Sequence, residues 1–328
     1  MNNKVVLVTG GAGFIGSHIV DYFEEKSIKY KIIDNLSSGS LKNIPRAISN
    51  GSFIQGDVTD YGLIEKLISE SSLVIHLASV VGVKNVLSNP LETIETNINS
   101  LKYIAKSCGQ NNIPVVFFSS SLVYPSFNGN KELFSEEEEI HGLGFHPVSI
   151  YVSAKKIGEL VCEYYKEHFG LKYIIVRPFN MIGIRQNGDS GMVVPSFIKS
   201  AINKKNVNVY GSGQQTRSFS DVKLAVKLLW ELIQNEKSYG QIFNLATTDK
   251  SITILELARL IIKILDQPVK INVVPMCEIY GEAYKDVENR SPSLAKLRQN
   301  LHYWEESNLK NILKEIIDYE YQLKNLAS

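Results

Sequence analysis

The stretch Lys4-Val-Val-Leu-Val-Thr-Gly-Gly-Ala-Gly-Phe-Ile-Gly16 restricts this chain more than any other. Four consecutive apolar residues, Val5 to Val8, read as a strand covered on both faces, which is the pattern of a central parallel strand between helices. Thr9 to Gly13 form a turn. Gly10, Gly13 and Gly16 follow the spacing G-x-x-G-x-x-G, a dinucleotide fingerprint whose first gap is one residue longer than usual. Gly10 permits the tight turn, Gly13 lets backbone N–H groups approach a pyrophosphate, and Gly16 lets the next helix pack closely on the strand. A helix from about Phe14 to Glu25 then aims its positive end at the phosphates. A second apolar strand, Tyr30 to Ile33, ends in Asp34, close to the distance of about 20 residues after the glycines at which a carboxylate holds a ribose 2′-OH. That acid repels a 2′-phosphate, so NAD is expected rather than NADP.

The 328 residues suffice for one large α/β domain or two smaller ones sharing a cleft. Lys plus Arg (35) nearly balance Asp plus Glu (34), so no global field recruits nucleic acid or an anionic membrane, and any phosphate recognition must be local. Cys108, Cys162 and Cys277 are too few and too scattered for a disulfide framework or a zinc site, which suits a reducing cytoplasm. No metal is expected. The N-terminal apolar run breaks at Gly10, too soon for a secretory leader, and no stretch approaches a membrane span.

Further along, a short strand from Ser52 to Gln55 leads to Gly56-Asp57-Val58. Asp57 can accept from an adenine amino group or cap the helix that starts near Asp60. The strand Leu73 to Leu77 ends in the small residues Ala78 and Ser79, which let a dinucleotide lie against the backbone. His76, inside that apolar run, reads as a satisfied core histidine. A long helix is expected from about Pro90 to Cys108, with Asn97 on a face whose amide needs partners. The strand Val115 to Phe118 delivers Ser119, Ser120 and Ser121 at its end. Tyr151 and Lys155 then stand at i and i+4 on one face of a helix running to about Phe169. A phenol ionises near pH 10, so use as a base at neutral pH requires that value to fall, which a nearby Lys155 and a cationic nicotinamide favour. The acidic run Glu136 to Glu139 reads as a solvated loop. Strands alternating with helices as far as Arg177 imply a doubly wound parallel sheet.

Taken together, Thr-Gly-Gly-Ala-Gly-Phe-Ile-Gly, Asp34, Gly-Asp57, His-Leu-Ala-Ser, Ser-Ser-Ser and Tyr-x-x-x-Lys resemble the extended short-chain dehydrogenase/reductase family, in its nucleotide-sugar epimerase, dehydratase and decarboxylase branch. The resemblance covers nearly the whole chain. It implies a Rossmann domain over residues 1–180, with a returning segment near 216–250, holding NAD. A smaller α/β domain, residues 181–215 and 251–328, would grip a nucleoside-diphosphate sugar. The NAD contacts it implies are Gly10, Gly13, Phe14, Ile15, Gly16, Asp34, Asn35, Asp57, Val58, Leu77, Ala78, Ser79, Asn97, Tyr151 and Lys155. On the sugar-nucleotide side it implies Ser121, Asn180 after Arg177-Pro-Phe, Val194 in the segment on the base, Tyr210, and a diphosphate clamp made by Arg217 and Arg290.

The mechanism implied has Tyr151 taking the proton of the sugar C4 hydroxyl as hydride leaves C4 for NAD. Ser120, four residues before Tyr124, is the catalytic hydroxyl, with Ser121 as the fallback. The family's 4,6-dehydratases carry Asp-Glu directly after that hydroxyl residue, where this chain has Ser121 and Leu122; its UDP-xylose-synthase-like decarboxylases carry Glu where Leu122 stands. The reading that follows is an NAD-dependent 4-epimerase of a UDP-hexose (UDP-glucose, UDP-N-acetylglucosamine or UDP-glucuronate), with a UDP-glucuronate-type decarboxylase as the alternative and, behind it, a 4,6-dehydratase or a non-catalytic nucleotide-sugar-binding protein. The latter draws on Asn89-Pro-Leu-Glu-Thr-Ile-Glu-Thr-Asn97 and Tyr210-Gly-Ser-Gly-Gln-Gln-Thr-Arg217. Lys223 and Leu224 replace acids usual in the family, and Ser293 replaces an Asp. A cytoplasmic homodimer joined through the helices near 90–108 and 150–169 is also implied.

Overall fold

The computed structural model describes residues 5–81, 86, 88–124, 133–137, 148–188, 191–276, 278 and 288–327. Cys277 and two members of the acidic run, Glu138 and Glu139, lie outside them. Its centre is a seven-stranded parallel sheet in the order β11-β6-β5-β4-β1-β2-β3. The strands are β1 (Val5–Thr9), β2 (Tyr30–Asp34), β3 (Phe53–Gln55), β4 (Ser71–His76), β5 (Val115–Phe118), β6 (Tyr173–Pro178) and β11 (Gln241–Leu245). The chain winds from β1 out to β3 and then restarts beside β1 at β4, so the strand order reverses between them. This is the doubly wound Rossmann arrangement the alternation implied, and its crevice lies at the carboxyl ends of β1 and β4.

The continuous apolar runs are explained by the two cores they serve. Val6, Val8, Ile32, Ile75, Val116, Phe118 and Ile174 point to one face of the sheet, while Leu7, Ile33, Val74, Val115, Phe117 and Ile175 point to the other. Alternate side chains of one strand therefore enter opposite layers. The helices Phe14–Glu25 and Val222–Gln234 cover the first face through Ile19, Phe23, Leu228 and Leu232. Tyr61–Ser69, Ser100–Asn111 and Val148–Phe169 cover the second, through Ile64, Leu67, Leu101, Ile104 and the buried Cys108 and Cys162. Each fully buried Val, Leu, Ile or Phe contributes about 1.5–3 kcal/mol, so both faces are needed.

Gly158, in the middle of the helix Val148–Phe169, would cost that helix about 1 kcal/mol relative to alanine. The reason it is there is contact: a Cβ at 158 would lie 2.6 Å from the Phe117 ring and 2.8 Å from Leu101.

The helix expected as one piece from Pro90 to Cys108 is divided. Pro90–Ile94 is α-helical, Glu95–Asn99 forms a π turn, and Ser100–Asn111 resumes the α-helix. The widened turn directs Asn97 inward, where its Oδ1 accepts from Val80 N and from Ser79 Oγ, both at 2.9 Å. Such π turns cluster at functional sites. His76 is a core histidine as expected, buried between Thr9 Oγ1 (2.8 Å) and Ser100 Oγ (3.4 Å).

Past β6 the chain builds smaller elements. β7 (Met181–Ile182) pairs with β10 (Ser220–Asp221), and β8 (Val207–Tyr210) with β13 (Ile271–Val274). β9 (Thr216–Arg217) lies between β12 (Ile252–Thr253) and β14 (Asn289–Arg290). A third apolar core joins these to the helices Val193–Ile202, Ile254–Leu265 and Leu309–Ala327, through Ile198, Val209, Leu257, Ile261 and Leu313. The helix Ile254–Leu265 is started by a complete capping box, Thr253 with Glu256. Among the described residues no helix is long and apolar enough to cross a membrane.

Candidate active site

The carboxyl ends of the strands carry the residues singled out in the sequence. After β1, Gly10 has φ +71, and a Cβ there would stand 2.8 Å from Ala78 N, so only glycine fits. At Gly16 a Cβ would meet Gly10 O at 2.3 Å, which is why the helix can begin so close to the turn. Phe14 and Ile15 are half-buried in its first turn. Asp34 is buried at the end of β2, its Oδ2 accepting from Ala12 N (2.9 Å) and its Oδ1 from Leu36 N (2.8 Å). Burial pushes its carboxyl up, and these two N–H groups work against that shift. Ala78 N donates to Thr9 Oγ1 (3.2 Å), fixing Leu77 to Ser79 beside the glycine turn.

Asp57 is not the helix cap. Its Oδ1 accepts from Thr59 N and Oγ1, its Oδ2 from Asn35 Nδ2 (2.8 Å), and Asp60 caps Tyr61–Ser69 through Leu63 N. Asp57 instead holds Asn35 at the end of β2, with Val58 buried behind it. Glycine-opened backbone at a helix N-terminus, with a carboxylate at the end of the next strand, is a donor and acceptor set that fits a dinucleotide.

At the end of β5, Ser119, Ser120 and Ser121 are all buried. The half-buried Tyr151 phenol lies beside the Ser120 side chain. One turn on, Lys155 Nζ donates to Phe118 O (2.8 Å) and stands 5.7 Å from the centre of the Tyr151 ring. Burial pushes the Tyr151 phenol up and the Ser120 hydrogen bond draws it partly back. Burial also pushes the Lys155 ammonium down to about 7. Without a nicotinamide ring beside it, burial is the larger effect and holds the Tyr151 phenol above its ordinary range.

A buried ion pair escaped the sequence reading. Glu159 accepts from Arg177 Nε (2.9 Å) and Nη2 (2.7 Å) and from Ser119 Oγ (2.5 Å). Burial works against the Arg177 cation, but the Glu159 carboxylate more than offsets it and holds the guanidinium above its usual range. That guanidinium stacks on the Tyr124 ring at 4.8 Å, and Tyr124 OH donates to Asn244 Oδ1 (2.7 Å). The signal available was spacing: Tyr151, Lys155 and Glu159 repeat every four residues along one helix face.

The sugar-nucleotide candidates gather on the smaller elements. Parallel pairing sets Arg290 in register with Arg217 on the neighbouring strand, and Arg217 Nη1 donates to Thr216 O (2.8 Å). Asn180 has φ +35, sparse for a non-glycine residue, and donates from Nδ2 to Ser218 O (2.9 Å). Tyr210 ends β8 and Val194 is buried in the helix Val193–Ile202. Of the departures from family pattern, Lys223 is paired with Glu315, Leu224 lies in the first core, and Ser293 N donates to Phe134 O (2.7 Å).

A family model described as NAD dependent epimerase/dehydratase family matches residues 6–246. The chain is 30% identical over 323 residues to a UDP-N-acetyl-alpha-D-glucosaminuronate decarboxylase of Bacillus cytotoxicus, covering 98% of this chain and 99% of that one. Among solved structures, the UDP-N-acetylglucosamine 4-epimerase of Methanobrevibacter ruminantium, in complex with UDP-N-acetylmuramic acid, aligns at TM-score 0.87 and 30% identity over 98% of this chain and all of that one. The UDP-glucose 4-epimerase of Thermotoga maritima, bound to UDP-glucose, aligns at TM-score 0.87 and 26% identity over 97% and 99% of the two chains.

Proposed function

The chain belongs to the NAD-dependent epimerase/dehydratase family, and on that premise we propose that it is a 4-epimerase of a UDP-hexose. The observation that carries this reading is the Tyr151 phenol set beside Ser120 and Lys155, next to a strand-end turn, Ser120 to Tyr124, that bears no carboxyl group. NAD supplies the acceptor, and then the donor, of the hydride at sugar C4.

Tyr151, which a bound nicotinamide cation together with Lys155 would draw toward the phenolate, would receive the C4 hydroxyl proton, and Ser120 would hold the oxygen while it becomes a carbonyl. Lys155, fixed on Phe118 O, offers partial positive charge at neutral pH to whatever lies above the Tyr151 ring. Arg217 and Arg290 hold the diphosphate, and Asn180, Val194, Tyr210 and Ser121 complete the sugar-nucleotide side. We assign the sugar-nucleotide side to residues 181–215 and 251–328, whose helices Val193–Ile202, Ile254–Leu265 and Leu309–Ala327 share the third core. With NAD bound, a ketone presented by its other face would take hydride at C4 while Tyr151 returned the proton to O4, so that C4 is inverted with no net use of cofactor. Water loss needs a carboxyl group to give and take protons, and Ser121 and Leu122 provide none.

The 30% identity with the Bacillus cytotoxicus decarboxylase over nearly the whole chain favours a second reading. In a uronate 4-ketone, the carboxylate lies β to the carbonyl, so the C5–C6 bond can break with its electrons passing into the ketone. Incubation with UDP-glucose, UDP-N-acetylglucosamine and UDP-glucuronate, with and without added NAD, and NMR of the products tests both. Axial/equatorial exchange at C4 supports the epimerase; carbon dioxide release moves the assignment to decarboxylase.

We also read the protein as a homodimer. Leu91, Ile94, Ile157, Leu160 and Tyr164 expose apolar side chains on the paired helices 90–94 and 148–169, Leu91 at 75% and Leu160 at 70%. A monomeric mass by light scattering at micromolar concentration would overturn this.

A further inference from the structure

Between Asp34 and Ile44 the chain forms a loop with little apolar anchorage: residues 35–43 are exposed or half-buried. It is held by polar contacts to the glycine turn. Ser40 N and Asn43 Nδ2 both donate to Ala12 O (3.0 and 2.9 Å), while Ala12 N is held by Asp34. Gly39 packs so closely that a Cβ there would meet Ala12 at 2.9 Å and Asp34 Oδ1 at 3.0 Å. The loop is thus folded over the place where the ribose carboxylate meets the fingerprint.

A cation from far along the chain fixes the loop's far end. Arg185, three residues past β7, has its side chain 9% exposed and a left-handed φ of +68. Its Nη1 donates to Asn43 O (3.0 Å), and its Nη2 faces both His18 Nδ1 (3.2 Å) and the Asp21 carboxylate. With an Arg185 N–H directed at Nδ1, the His18 imidazole carries its proton on Nε2, which donates to Ile184 O (3.1 Å). One guanidinium therefore joins the cofactor-side loop, the first helix and the segment leading into the sugar-nucleotide side. Only a rigid fork of donors can serve three acceptors in this way.

We infer that Arg185 is a positioning residue that latches the loop 35–44 over the adenosine end of NAD and so slows release of the cofactor. A bound dinucleotide must displace this loop to leave, and the latch adds its hydrogen bonds to the barrier. The inference rests on NAD as the resident cofactor and is independent of whether the sugar is epimerised or decarboxylated.

The test loads wild type, Arg185→Ala and Arg185→Lys with NAD, removes free cofactor by rapid desalting and follows retained NAD with time. Hydrogen exchange of the peptide spanning 35–44 is measured in parallel. Loss of charge-assisted bonds is expected to speed release roughly tenfold or more in Arg185→Ala, with faster exchange confined to that peptide. Should the alanine variant melt well below wild type, Arg185→Lys carries the test, since one ammonium cannot serve all three acceptors. Faster release with local exchange supports the latch. Unchanged release overturns it, whether or not the loop exchanges faster. A wild-type protein that takes up no NAD overturns the cofactor assignment as well.

Discussion

Replacing Glu159 by alanine isolates the buried pair that braces the site. The Arg177 side chain is 3% exposed and that of Glu159 8%. Arg177 Nη1 already has no partner among the described residues, so removing the carboxylate leaves the guanidinium with the Tyr124 contact alone. Stranding one member of a buried pair costs about 3–5 kcal/mol. At roughly 2–4 °C per kcal/mol for large domains, the melting temperature of Glu159→Ala should fall by about 6–20 °C in calorimetry. The double variant Glu159→Leu with Arg177→Met removes both charges and fills similar volume, so it should recover most of that loss, because apolar replacement of a buried pair is often neutral or better. A single variant melting within about 2 °C of wild type, or a double variant as unstable as the single, would refute the reasoning.

Tyr151→Phe should lower turnover by roughly 10²–10⁴-fold while leaving bound NAD unchanged by absorbance; near-normal turnover would remove Tyr151 from its role. Burial first, and the Arg185 guanidinium second, push His18 down to about 4 from 6.5, while its bond to Ile184 and nearby Asp21 pull the other way. The neutral ring is thus the folded form, and its stabilisation, about 3 kcal/mol at most, is complete above pH 6.5 and lost as pH falls toward 4. Urea titrations between pH 4 and 7 should show that slope in wild type and a flatter one in His18→Gln. Arg217→Ala and Arg290→Ala should each weaken UDP binding by roughly tenfold or more in isothermal titration. The double variant should lose less than the sum, because the two residues are in register on adjacent strands.

Local signals in the sequence carried the fold and the strand ends at which the candidate site lies. A glycine turn, an acid after the second strand and a Tyr-x-x-x-Lys helix each depend on a few neighbouring residues, and continuous apolar runs state that a strand is covered on both faces. Contacts between distant segments were beyond that reach. Glu159 meets Ser119 across 40 residues and Arg185 meets His18 across 167, and nothing in either neighbourhood specifies the partner. The π turn at 95–99 was hidden too, because Asn97 leaves the α pattern to satisfy Val80, a tertiary demand that overrides helix propensity. Asp57 was ambiguous because an Asx turn and an N-cap use the same side chain.

The missing side chain at Gly158 also determines where the phenol can be. Since the helix rests directly on Phe117 and Leu101 there, the elevation of Tyr151 above the serine strand is dictated about two turns away from the reacting oxygen. Any methyl at that point would act as a shim, tilting the helix and lifting Tyr151 away from the serine strand. The height of the Tyr151 ring over the strand end is in this sense a dimension of the scaffold, set by packing about two turns away.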